Sequence, residues 1–208
     1  MQNSCYIIGG GLFEGIEIKK REGDLIIAAD KGYDFAKGCG IEPDIILGDF
    51  DSISKKPEGS NVLIYPEEKD DTDTMIAIKY ALAHGYKNLV LFCCMGNRLD
   101  HTLANIQSIA YASRMGANVV MHGRDTDCYA VTNGILTFDF PVHGIVSVFC
   151  IGKNAVGVNL VGLKYPLNDA TLIGDFPIGI SNEFLGEPAS IFVRNGTLLV
   201  IHIKALDK

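Results

Sequence analysis

Two aspartates stand two apart in the stretch DIILGDFDSI, Asp44 to Ile53. The apolar run Ile45-Ile46-Leu47 ends at Gly48, and Asp49 and Asp51 then flank Phe50. Residues i and i+2 of an extended backbone face the same way. The two carboxylates can therefore converge on one ion while Phe50 turns back into the fold. Acids at a strand end suit Mg²⁺, which takes a few carboxylates and leaves its other positions to water and phosphate oxygens. The same residues also read as a solvated turn in which Asp51 or Ser52 caps a helix.

Two more clusters repeat the theme. In EEKDDTDTMIAI, Glu67 to Ile78, Asp73 falls in the first turn of a helix, where it can be a third acid near the metal, with Lys69 reaching a phosphate. Acids there also simply complement the helix dipole, with Thr72 or Asp71 as the N-cap. In GNRLDHTLANIQ, Gly96 to Gln107, Arg98 offers a guanidinium fork for phosphate. Asp100 opens a helix, and His101 and Asn105, four apart, share a face. Here the plain alternative is Asp100 as an N-cap beside a polar surface histidine. Gly9-Gly10-Gly11 follows an apolar run, but Glu14 stands where a dinucleotide fingerprint needs glycine. Neither a Walker A sequence nor G-x-S-x-G is present, which argues against a P-loop enzyme and a serine hydrolase.

These clusters need strands and helices to hold them. Short apolar runs at Tyr6-Ile7-Ile8, Leu25 to Ala29, Ile45 to Leu47, Leu89 to Phe92 and Val119 to Met121 suit strands buried on both faces. Helical patterns lie between them, from Thr72 to His84 with Gly85 as a C-terminal cap, and from Asp100 to Met115 with Gly116. Strands alternating with helices predict a mostly parallel, three-layer α/β domain over residues 1–124. Ligands bind beyond the carboxyl ends of the strands in such sheets. Asp30, Asp49, Asp51, Arg98 and Asp100 all follow predicted strands.

From about Thr126 the helical period disappears. Runs at Ile135 to Phe140, Ile145 to Cys150, Val156 to Val161, Ala189 to Arg194 and Leu198 to Ile203 predict an all-β sandwich or barrel over residues 125–208. Asn195-Gly196 between the last two is the strongest hairpin signal. The tripeptide Gly-Asp-Phe at 48–50 recurs at 174–176 in different surroundings and is no repeat.

The chain has 208 residues, 48% of them hydrophobic, enough for a sizeable core. Its net charge is -7 and no cluster of Lys and Arg stands out, so nucleic acid is a poor partner. An acidic protein that handles phosphates needs local cations or a metal. The six cysteines form no C-x-x-C and read as reduced core thiols. With no leader pattern and no apolar run of about 18 residues, the expectation is a cytoplasmic protein without a membrane partner.

Taken in order, AADKG, PDIILGDFDS, KDDTD followed by Ala77, and GNRLDH followed by Asn105 resemble the thiamine pyrophosphokinase family. The resemblance implies the α/β-then-β organisation over the whole chain. It implies Mg²⁺ gathered by Asp49, Asp51 and Asp73, with Arg98 and Asp100 near the nucleotide phosphates, and Asp30, Lys69, His101 and Asn105 on the ATP side. It further implies a homodimer, with thiamine in a cleft between one subunit's α/β domain and the other's β domain. GISNEF resembles the family's Ser-Asn segment and brings Ser181 and Asn182 near thiamine. The chain departs from the family pattern at Lys31, where a second glycine is common, and it has no tryptophan to stack on thiamine.

The implied reaction moves pyrophosphate from ATP to the thiamine hydroxyl, releasing AMP. Such a transfer needs positioning and charge neutralisation more than a protein nucleophile, and the chain shows no activated one. Two rivals remain at this level: a pyrophosphokinase for another alcohol, such as a hydroxymethylpterin, and a non-catalytic nucleotide sensor.

Overall fold

The computed structural model describes residues 2–50, 59, 61–66 and 70–204. The chain divides into two units, Met1–Arg124 and Asp125–Lys208.

In the first unit, β1 (Ser4–Ile8), β2 (Leu25–Ala29), α1 (Gly32–Gly38), β3 (Ile45–Gly48), β4 (Val62–Ile64), α2 (Asp73–Ala83), β5 (Asn88–Phe92), α3 (Leu99–Arg114) and β6 (Asn118–His122) follow one another. The strands pair in parallel in the order β6-β5-β1-β2-β3-β4. The apolar runs supply the middle of this sheet. Ile7, Ile8, Ile27, Leu47, Leu89, Leu91 and Met121 are all fully buried. Each such side chain contributes about 1.5–3 kcal/mol by leaving water.

The order reverses at β1. The chain moves outward through β2, β3 and β4, then returns to the other side of β1 with β5. In an open α/β sheet the crevice lies at such a reversal, outside the carboxyl ends of the strands. The loops after β1, β2, β3 and β5 all open there.

Local chemistry sets the helix entries. Thr72 caps α2, its hydroxyl accepting from Met75 N at 3.2 Å. Asp100 is not the cap of α3; Arg98 stands at that position, without a side-chain cap bond, and Asp100 falls in the first turn. At the entry to α1, a methyl group on Gly32 would overlap the Ile8 carbonyl oxygen, so only glycine lets this helix sit on β1. Among the described residues no helix is long and apolar enough to cross a membrane.

The second unit holds β7 (Thr126–Thr132), β8 (Ile135–Phe138), β9 (Gly144–Cys150), β10 (Asn154–Val161), β11 (Leu167–Ile173), β12 (Asn182–Glu183), β13 (Ala189–Asn195) and β14 (Thr197–Lys204). All its pairings are antiparallel. β9 pairs with β12 and β14, and β14 with β7. β10 pairs with β11 and β13, and β13 with β8. Residues of both sets share one core, among them Val148, Leu198 and Val200 from the first and Val158, Leu160 and Ile191 from the second.

Asn195-Gly196 is not a hairpin turn. It passes the chain from β13 in one sheet to β14 in the other. The step at Asn133-Gly134 does the same between β7 and β8, and the two steps are tied together. Gly196 N donates to Asn133 Oδ1 at 2.8 Å, and Asn133 N donates to Gly196 O at 3.1 Å. The Asn-Gly pair supplies the positive φ such a step needs, +121° at Gly196, which is the property a hairpin would also have used.

One buried acid braces the entry to the parallel sheet. Asp24 accepts from Ser4 N at 2.8 Å and from Arg21 N at 2.9 Å. Burial pushes its carboxyl up, but these backbone bonds and the Arg21 charge outweigh it and hold the group below the ordinary range. A carboxyl lowered on folding stabilises above its unfolded value, and the contribution disappears as pH falls through the lower folded value. Asp24→Asn should therefore cost about 1–3 kcal/mol at neutral pH, with the gap to wild type closing in acid. Urea unfolding at pH 7 and near pH 3 checks this; a gap independent of pH contradicts it.

Candidate active site

The strand ends of the first unit surround a cavity of about 560 Å³. Gly10 and Gly11 come from the loop after β1, Asp30 and Lys31 from the end of β2, and Asp49 from the end of β3. Thr72, Asp73 and Thr74 come from the start of α2, and Arg98, His101 and Asn105 from the start of α3. Asp30, Asp49, Asp73, Arg98, His101 and Asn105, scattered over 76 positions of sequence, thus line one space. Asp51 and Lys69 lie outside the described residues.

Three of the strands that open on the crevice are followed by a left-handed residue that is not glycine: Asp30 (φ 48°) after β2, Phe50 (φ 60°) after β3 and Cys93 (φ 55°) after β5. Such residues cost of order 1–3 kcal/mol each and tend to gather at functional sites. Phe50 is the informative case. Its ring is turned into the core, with 2% of the residue exposed. The backbone there is left-handed and not extended. A sharp turn at Phe50 buries the ring.

The glycine loop has a different role from a dinucleotide fingerprint. No helix follows it; β2 is the next element. The loop lies against the turn after β5. Gly9 N donates to Phe92 O at 2.9 Å, Gly11 N to Cys93 O at 2.6 Å and Leu12 N to Met95 O at 2.9 Å. A Cβ on Gly11 would stand 2.7 Å from Cys93 O and 2.8 Å from Met95 O. Backbone approaches backbone too closely there for any side chain.

On α3, Arg98 and Asp100 form a forked ion pair, with Nη2 to Oδ2 at 2.7 Å and Nε to Oδ1 at 3.3 Å. The guanidinium holds the Asp100 carboxyl below the usual carboxylate range. Asp100 does not itself line the cavity; it orients Arg98, which does.

Among the described residues, the cavity wall carries five carboxylates, from Asp30, Asp49, Asp70, Asp71 and Asp73, against two basic side chains, Lys31 and Arg98. Lys79 offsets one of the five through an ion pair to Asp71 at 2.6 Å. A polyphosphate would be repelled by this wall unless a cation came with it. Burial pushes Cys93 up to about 11 and Cys94 up to about 12, so both are thiols at neutral pH. The carboxylates of Asp30, Asp49 and Asp73 offer hard oxygen donors of the kind Mg²⁺ takes. Asp30 and Asp73 each keep a buried Oδ1 that accepts no hydrogen bond, while the residues are engaged elsewhere. Among the described residues, no three acid, histidine or cysteine side chains converge tightly enough to hold a metal by themselves.

In the second unit Ser181 and Asn182 behave differently. Ser181 is exposed at φ 57°, its N–H donating to Ser147 Oγ at 3.1 Å. Asn182 is buried and occupied. Its Nδ2 donates to Tyr165 O at 2.7 Å, and its Oδ1 accepts from Tyr165 N and Glu183 N, both at 2.9 Å. Sequence reasoning had not singled out Asp70, Asp71 or Lys31 as cavity residues. The one available signal was their position beside Asp73 and Asp30.

The chain is similar to known proteins in both sequence and fold. The family model for the thiamin pyrophosphokinase catalytic domain matches residues 19–121, and that for the thiamin pyrophosphokinase vitamin B1 binding domain matches residues 137–198. The thiamine pyrophosphokinase of Bacillus subtilis is 26% identical over 187 residues, covering 86% of this chain and 87% of the relative. Thiamin pyrophosphokinase 1 of Caenorhabditis elegans is 26% identical over 176 residues, covering 78% of this chain and 70% of the relative. The crystal structure of the Bacillus subtilis enzyme superposes with a TM-score of 0.87, covering 98% of this chain and all of that one, at 26% identity.

The Thr72 cap sets where α2, and with it Asp73, begins. Thr72→Ala should cost about 1 kcal/mol of stability, and Thr72→Ser should cost much less. Chemical denaturation of both variants measures this; equal losses would deny the hydroxyl its capping role.

Proposed function

The chain belongs to the thiamin pyrophosphokinase family, and on that premise we propose how its residues move the pyrophosphoryl group of ATP to thiamine. The primary hydroxyl of thiamine attacks the β-phosphorus of ATP. A new O–P bond forms, the bond from the β-phosphorus to the α–β bridging oxygen breaks, and AMP leaves with that oxygen. A cavity carboxylate takes the hydroxyl proton.

In this reading Asp49, Asp51 and Asp73 hold Mg²⁺, for which their carboxylate oxygens are suited. When bound, the ion neutralises phosphate charge and steadies the charge that develops in the transition state. Arg98, braced by Asp100, meets the phosphates with a fixed fork, and Lys69 adds a second cation. Asp30 and His101 complete the ATP side, with Asn105 behind them against the turn after β5. Ser181 offers its hydroxyl to thiamine, while Asn182 holds that segment in shape through the Tyr165 backbone. The enzyme works as a homodimer in the cytoplasm, the α/β domain (residues 1–124) of one subunit carrying ATP and the β domain (residues 125–208) of the other carrying thiamine and the dimer contact.

The observation that carries the reading is the acid-rich cavity at the strand-order reversal, with Arg98 on its wall. It calls for a polyphosphate that arrives with a divalent cation. The test is AMP release from ATP and Mg²⁺ with thiamine, with a hydroxymethylpterin, and with no alcohol. AMP should appear with thiamine only and stop on adding EDTA. Asp49→Asn and Asp73→Asn should each lower kcat by about 100-fold or more without lowering the melting temperature by more than a few degrees. Near-full activity in both variants would contradict the metal assignment, and release with the pterin alone would change the substrate.

A further inference from the structure

Three successive carbonyls close the turn after β5, and each is taken by a different donor. Gly11 N takes Cys93 O, Leu12 N takes Met95 O, and the side chain of Asn105 takes Cys94 O at 2.7 Å. The first two tie the turn to the glycine loop. The third ties it to α3, from a residue that is itself 8% exposed.

Between the turn and the helix lies the short segment that presents Arg98. It is conformationally expensive. Cys93, Gly96 and Asn97 all have positive φ, at 55°, 79° and 51°. Arg98 N donates back to Gly96 O at 2.6 Å, and Arg98 O accepts from both the N–H and the hydroxyl of Thr102 at 3.1 Å. The segment thus leaves a strained turn and enters a helix within a few residues. Its geometry holds only if the turn and α3 keep a fixed separation. Asn105, two helical turns beyond Arg98, spans that separation.

Resting on the functional reading above, we propose that Asn105 is a positioning residue, acting on ATP through the turn and Arg98 and not by contact with the nucleotide. One N–H of its buried amide is committed to the Cys94 carbonyl, so the side chain is turned toward the backbone of the turn. Loss of that bond leaves a buried carbonyl unsatisfied and lets the Gly96-Asn97-Arg98 segment shift. The guanidinium then moves from its place on the cavity wall, and affinity for the phosphates falls.

A double-mutant cycle on Mg-ATP affinity, measured by calorimetry, separates the two roles. A residue acting through Arg98 has little left to lose once Arg98 is gone. Asn105→Ala should weaken ATP binding by about 5-fold or more in the wild-type background and by less than about 2-fold in Arg98→Ala. Adenosine, which lacks the phosphates, should bind the single variant as it binds wild type, and the KM for thiamine should not move. Independent, multiplying losses in the cycle, or an equal loss for adenosine, would overturn the proposal. Should Asn105→Ala fail to fold, Asn105→Ser carries the same cycle with less volume lost. If wild type binds ATP yet releases no AMP with thiamine, the functional reading fails, while the cycle still reports on Asn105.

Discussion

The close approach of two strand-end loops at the reversal of the parallel sheet governs the rest of the first unit. Backbone of the Gly9 to Leu12 loop bonds directly to backbone of the Phe92 to Met95 turn. Nothing larger than glycine fits at Gly11, where carbonyl oxygens stand within 3 Å of a would-be Cβ. This contact fixes the floor of the cavity. It places the start of α3, and so Arg98, opposite the ends of β2 and β3, which bring Asp30 and Asp49.

Charge follows from that geometry. Strand ends that converge on one crevice bring their terminal residues together, and here most of those residues are acids. The acids repel a polyphosphate unless a hard cation mediates, and their carboxylate oxygens are the donors such a cation takes. The cost of the arrangement is visible in the backbone as left-handed conformations at Asp30, Phe50 and Cys93. Buried strands such as β1 and β2 offset it by hydrophobic burial.

Much of this was legible in the residues, and the failures are specific. Runs such as Leu25 to Ala29 announced buried strands because nothing polar interrupts them. The helix from Asp73 to Ala83 was bounded by a capping threonine and a following glycine. β7 was passed over because Asp127 and Tyr129 break its apolar run, and β11 because Asn168, Asp169 and Thr171 interrupt LNDATLI, a mostly exposed strand. α1 has seven residues and a glycine at each end, too short for a period to show. Asn195-Gly196 was misread because an Asn-Gly pair specifies positive φ and not which strands the turn joins. At the site, residue identities revealed Asp49, Asp73 and Arg98. They did not reveal that Phe50 turns left-handed, that Asp100 pairs with Arg98, or that Asn182 is held by the backbone of Tyr165 and Glu183. Those depend on packing and side-chain geometry that residue identities do not carry.

The most direct measurement is phosphorus NMR of the chain with ATP, Mg²⁺ and thiamine, followed to completion. The account predicts AMP and thiamine diphosphate in equal amounts, because the bond broken joins the β-phosphorus to the α–β bridging oxygen. ADP with thiamine monophosphate, or no phosphorus on thiamine at all, would contradict it.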